Sequence, residues 1–98
     1  MNLTLENTMI RPAEELGRVL TGRAAAATLR ARVEDELARD SSVEVDFEGV
    51  MLISPSFADE LFAKLPLEAV NSGRVKFLNL DEEHLALVRF VAAGRQQH

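Results

Sequence analysis

Apolar and charged residues alternate along Val43-Glu44-Val45-Asp46-Phe47-Glu48, the period of two that marks a strand buried on one face. Further on the period lengthens. Phe57, Ala58, Leu61, Phe62 and Leu65 share one side of a helix, with Asp59, Glu60 and Lys64 on the other. The change falls at Ser54-Pro55-Ser56 after a short apolar connection, so a helix N-terminus is expected to face solvent there.

The same test places the remaining elements. Leu3 and Leu5 alternate with polar neighbours and predict a first strand reaching to about Met9. Arg11 to Glu15 reads as a connection, because Pro12 interrupts any ladder. Gly17 to Gly22 fits either the end of a helix begun near Pro12 or a second strand. The glycines at both ends and Val19-Leu20 between them favour the strand. From Arg23 a helix is expected: Ala24 to Ala27 are strong helix formers, and no proline or glycine follows until Gly49. Ala26, Leu29, Val33 and Leu37 form its apolar stripe, and Asp40-Ser41-Ser42 breaks it.

Pro66 stops the second helix, with an irregular turn over Leu67 to Val70 and a tighter one at Asn71-Ser72-Gly73. Val75 to Leu80 predicts another strand. Asp81 is placed to cap a last helix with the stripe Leu85, Val88 and Val91, ending at Gly94 before a frayed tail from Arg95 to His98.

Strands alternating with helices imply βαβ units and an α/β fold, with a mixed, mostly parallel sheet of about four strands. A parallel strand covered on both faces would read as continuously apolar. Here Glu44, Asp46 and Glu48 mark one face of the central strand, and Lys76 lies opposite Val75 and Phe77 on another. The expectation is therefore two layers, three helices on one face and a charged, solvent-facing surface on the other. A pair of Lys76 with Glu44 or Asp46 across that surface would contribute about 0.2–1 kcal/mol.

Composition narrows the function. A chain of 98 residues, 47% hydrophobic and 28% charged, is one small globular domain. Its net charge of −5 and its lack of Trp and Tyr exclude a general nucleic-acid binder. No apolar run approaches the ~20 residues that span a bilayer, and Met1 to Glu6 lacks the basic start of a signal peptide. With no cysteine either, a cytoplasmic protein without membrane contact is expected.

Catalytic chemistry finds little to work with. Asp59 and Glu60 are adjacent on a helix and point about 100° apart, so they do not converge; Glu60 and Lys64 make an ordinary i,i+4 pair on a solvated face. His84 has no second histidine at ligand spacing, which argues against a metal site. There is no phosphate-binding glycine motif. Arg18, Arg23 and Arg30 read as ordinary surface charge, with anion binding as the other reading. A non-enzymatic protein without cofactor is expected.

Two stretches carry a resemblance: Val45-Asp46-Phe47-Glu48-Gly49-Val50, and Ile53-Ser54-Pro55-Ser56-Phe57-Ala58-Asp59-Glu60-Leu61-Phe62. Together they are similar to the STAS-like bacterial and archaeal family of unknown function, distantly related to STAS anti-sigma factor antagonists. There a V-x-L-D-F-x-G-V strand leads through a loop into an F-A-D-E-L/I-F helix. The alanine-rich helix after Gly22-Arg23 and the segment Val75 to Asn79 also resemble its flanks, so the likeness runs from about Gly17 to Val91.

The resemblance implies a two-layer STAS-like sandwich that binds a protein partner, an ATP-binding kinase-like regulator, through Ser54, Pro55, Ser56, Phe57 and Asp59. In STAS antagonists the loop reads D-S-S/T-G, and its second hydroxyl is phosphorylated. Ser54 here stands at the aspartate, Pro55 at the first serine, Ser56 at the phosphorylated one and Phe57 at the glycine.

Physical chemistry leaves both serines a plainer role. Ser54 can cap the helix with Pro55 at its first position, or Ser56 can cap it with Asp59 completing a capping box. Phosphate on Ser56 would be tolerated at a helix N-terminus by its free N–H groups and dipole. A small-molecule or nucleotide sensor binding an anion at that N-terminus is the alternative function.

Overall fold

The computed structural model describes residues 7–39 and 41–96. In chain order these form β1 (Asn7–Ile10), α1 (Pro12–Glu15), β2 (Val19–Leu20), α2 (Arg23–Ala38), β3 (Ser42–Asp46), β4 (Leu52–Ile53), α3 (Pro55–Phe62), α4 (Leu67–Asn71), β5 (Val75–Leu78) and α5 (Glu82–Gln96). The strand signal at Leu3 and Leu5 lies outside the described residues, as do Asp40 and the end of the tail.

β1, β3 and β5 make a parallel sheet in the order β1-β3-β5, and β2 pairs with β4, also in parallel. Among the described residues the sheet is parallel throughout and divided in two, of three and two strands, where a single mixed, mostly parallel sheet of about four strands was expected. The turn after β3 divides them. Phe47 N still donates to Leu78 O on β5, but Val50 N then bonds Phe47 O, and Gly49, at φ +85°, turns the chain away. An alanine there would be strained by that φ and would bring its Cβ to 3.4 Å from Ala13 Cβ.

Among the described residues the three expected helices, α2, α3 and α5, are joined by two short ones, α1 and α4. α1 is one turn where a connection was expected: Pro12 sits at its first position, where a missing N–H costs nothing, and Leu16 N closes the turn onto Pro12 O at 2.7 Å. α4 follows Pro66, at the predicted irregular turn. Val19-Leu20 takes the strand reading. Gly94 lies inside α5, which runs on to Gln96; a lone glycine weakens a helix by about 1 kcal/mol but need not end it.

The core lies between the three-stranded sheet and the helices. Ile10, Val43, Val45 and Val75 are buried on the sheet, Ala26, Leu29 and Val33 on α2, and Phe57, Ala58, Leu61 and Phe62 on α3. α2 packs on β3 and α3, and α5 on α3. Phe47, Phe62 and Phe77 form a tilted cluster, closest at 4.9 Å between the centroids of Phe62 and Phe77. On α5 the residues turned inward are His84, Leu87 and Val88; of the expected stripe Val88 packs on the core, His84 takes the buried place expected of Leu85, and the side chain of Val91 lies outside the described residues.

Lys76 is directly opposite Glu44 in register on the outer face, as expected. Asp46 breaks the pattern. It was expected in solvent, yet it is only 4% exposed. Its Oδ1 accepts from Asn79 Nδ2 at 2.7 Å and Glu48 N at 3.0 Å, while Arg11 Nε lies 3.5 Å from Oδ2. The Asn79 bond, then the Glu48 amide and, more weakly, Arg11 hold the carboxyl below its ordinary pKa against the opposing effect of burial.

Candidate functional site at the start of helix α3

Parallel pairing with β2 delivers β4 to this site. Ser54 N donates to Leu20 O at 2.9 Å, which ends the ladder, and Ser54 then becomes the N-cap of α3. Its backbone is extended (φ −74°, ψ 155°), and its Oγ accepts from Phe57 N at 3.1 Å. Pro55 takes the first helical position, where its fixed φ suits the helix and no N–H is needed. Of the two capping arrangements open in the sequence, the fold uses the one through Ser54.

Ser56 is therefore not the cap. Its Oγ lies 3.2 Å from Ser54 Oγ, it is partly exposed, and Pro55 beside it is exposed. Phe57 differs from its expected place in a docking loop: its side chain is fully buried in the core, on the inward stripe of α3. Asp59 projects from the outer side, where Arg23 Nη1 donates to its Oδ2 at 2.8 Å.

Glu60 corrects the idea of a solvated face. It is buried between α2 and α3, with Lys64 Nζ at 2.8 Å from Oε1, Arg30 Nη2 at 3.2 Å from Oε2 and Arg23 Nη1 at 3.5 Å from Oε1. The hydrogen bond from Lys64 does most to lower its pKa, helped by the charges of Lys64 and Arg30 and opposed by burial. Arg23 is raised above its ordinary value, chiefly by its bond to Asp59. Of the three arginines grouped in the sequence, Arg23 and Arg30 thus meet at Glu60, whereas Arg18 donates through Nε to Gly49 O at 2.9 Å.

One surface beside the site was missed in the sequence. Leu20 and Ile53 face inward and are buried, whereas Val19 and Leu52, paired in register, face solvent together with Met51. Strands of two residues are too short to show a period, so this inward and outward alternation had no detectable signal.

His84 is buried where α5 begins. Its N–H donates to Asp81 Oδ1 at 2.8 Å, the expected cap, and its Nδ1 lies 3.2 Å from the same oxygen. Among the described residues no three acidic, histidine or cysteine side chains gather as metal ligands do, and no helix is long and apolar enough to cross a membrane.

The arrangement is a parallel α/β domain in which Ser54 caps the helix that follows β4. Residues 25–85 match the family described as STAS-like domain of unknown function (DUF4325), and the chain belongs to that family. Neither curated proteins nor solved structures give a match.

Proposed function

We propose that this protein is a non-enzymatic regulatory module that docks another protein through the first turn of α3. The contact residues are Ser54, Pro55, Ser56 and Asp59, while Phe57 holds the turn from within. One observation carries the reading: Ser54 caps the helix by accepting from Phe57 N, and the partly exposed Ser56 hydroxyl, which bonds only the Ser54 hydroxyl among the described residues, is left open to a modifying group or a partner. A phosphate on Ser56 would add about −2 charge at the helix N-terminus, close to Asp59 one turn along. That change would repel an acidic partner surface and so switch docking. By its STAS resemblance the partner is an ATP-binding kinase-like regulator in the same compartment, the cytoplasm.

The anion-sensor alternative has less behind it, since Arg23 is already engaged by Asp59 and Glu60. The test is affinity capture from the native host with intact-mass analysis. A stoichiometric partner retained by wild type and by Ser56→Ala, but released by Ser56→Glu and Pro55→Glu, supports the reading. A partner indifferent to both glutamate variants, with no phosphorylated mass under any growth condition, overturns it.

A further inference from the structure

The geometry points to the outer edge of β2 as the place where an extended segment of a partner protein, apolar and bearing carboxylates, adds as a further strand beside Arg18 and Val19. This rests on the reading of the chain as a protein-binding module, and supplies the chemistry of the partner.

The backbone supplies the first argument. Arg18 O accepts from Met51 N at 2.7 Å and Leu52 N at 3.3 Å, and Leu20 O accepts from Ser54 N at 2.9 Å. Peptide groups alternate in direction along a strand, so the N–H and C=O of Val19 face away from β4. Among the described residues no strand lies beyond them. An open edge of this kind is what strand addition uses: main-chain bonds hold the segment, and neighbouring side chains select it.

The side chains supply the second. Val19 and Leu52, paired in register, are 53% and 49% exposed, and Met51, the residue before Leu52, is 65% exposed. The surface continues into the α3 turn through Ser54. Arg18 borders it, its Nε tied to Gly49 O, and its terminal nitrogens form no ion pair among the described residues. A guanidinium steadied in this way presents a fork shaped for a carboxylate.

Charge excludes a second copy as occupant: two copies meeting edge to edge would bring two Arg18 guanidinium groups together. Three partly exposed side chains offer a few hundred Å², so the segment is held weakly, with main-chain bonds carrying part of the affinity. A short acidic and apolar strand avoids the like-charge contact.

The test uses the full chain, labelled with nitrogen-15, and two blocked decapeptides. One alternates valine with glutamate and aspartate, the other valine with lysine. The acidic peptide should move the amide resonances of Arg18, Val19 and Leu20 and slow exchange of the Val19 amide. The lysine peptide should bind at least about tenfold more weakly. Arg18→Gln should weaken the acidic peptide by a similar factor, and Leu52→Glu should abolish its binding while leaving the rest of the spectrum folded.

Equal binding of the two peptides, shifts only around α3, no shifts at millimolar peptide, or a concentration-dependent dimer through this edge would each overturn the inference. A captured partner that Ser56→Glu releases, and that neither Arg18→Gln nor Leu52→Glu disturbs, would defeat the inference alone and leave the docking reading standing.

Discussion

Asn79 Nδ2 donates to Asp46 Oδ1 at 2.7 Å and so fastens the end of β3 to the turn that leaves β5. Asn79 sits at φ +59°, a left-handed backbone that asparagine tolerates better than most residues. The two features are separable by substitution. Asn79→Gly removes the side-chain bond and keeps the φ, and should cost about 1–3 kcal/mol for a buried carboxylate left short of a donor. Asn79→Ala adds backbone strain and should cost more. Urea unfolding of both variants decides the order; an alanine variant no less stable than the glycine one would remove the argument from strain.

Acid should weaken the fold through the same carboxylate. The folded pKa of Asp46 lies below the unfolded value of about 3.9, so its contribution is complete above that pH. It is lost as pH falls through the lower, folded value. Glu60 is lowered as well and acts with the same sign from the α2–α3 interface. Denaturation midpoints followed from pH 6 to pH 2 should fall in wild type and fall less steeply in Asp46→Asn and Glu60→Gln. An unchanged slope in both would show that other acids govern the acid limb.

The two serines should separate cleanly in stability. Ser54→Ala removes the cap of α3 and is expected to cost about 1 kcal/mol. Ser56→Ala removes a hydroxyl that bonds only the Ser54 hydroxyl and caps no backbone N–H, and should stay within about 0.5 kcal/mol of wild type. Chemical denaturation measures both. A loss at Ser56 equal to that at Ser54 would mean that its hydroxyl is structural.

Phe57 should behave as core, whatever binds at the turn around it. Phe57→Ala is expected to cost about 3–5 kcal/mol, a large part of the 5–15 kcal/mol that holds a domain of this size. Lost partner binding in that variant would accompany lost near-ultraviolet signal and a lower melting temperature. Pro55→Glu, at an exposed position, should keep both. A fully folded Phe57→Ala protein would contradict the burial of that ring.

Local sequence determined the elements with a clear period or a definite stop. β3, the length of α2 and its buried stripe, β5, the cap at Asp81, a serine cap on α3 (Ser54 or Ser56) and the break at Pro66 all follow from neighbours along the chain, because capping, helix propensity and alternation are local forces. The STAS-like family was legible for the same reason, in the strand and helix that frame Ser54.

What only the tertiary structure decided involves residues far apart in the chain. The pattern marked Asp46 and Glu60 as solvent-facing, but Asn79 and Arg11 close over one, and Arg23 and Arg30 over the other. The resemblance assigned Phe57 to a partner-binding loop, but the ring lies in the core, on the helical stripe where the pattern had put it. The division into two parallel sheets, and with it the exposed edge at Val19 and Leu52, depends on how the Gly49 turn directs the chain. Burial of a charge is decided by which donors arrive from other elements, and no window along the sequence contains them.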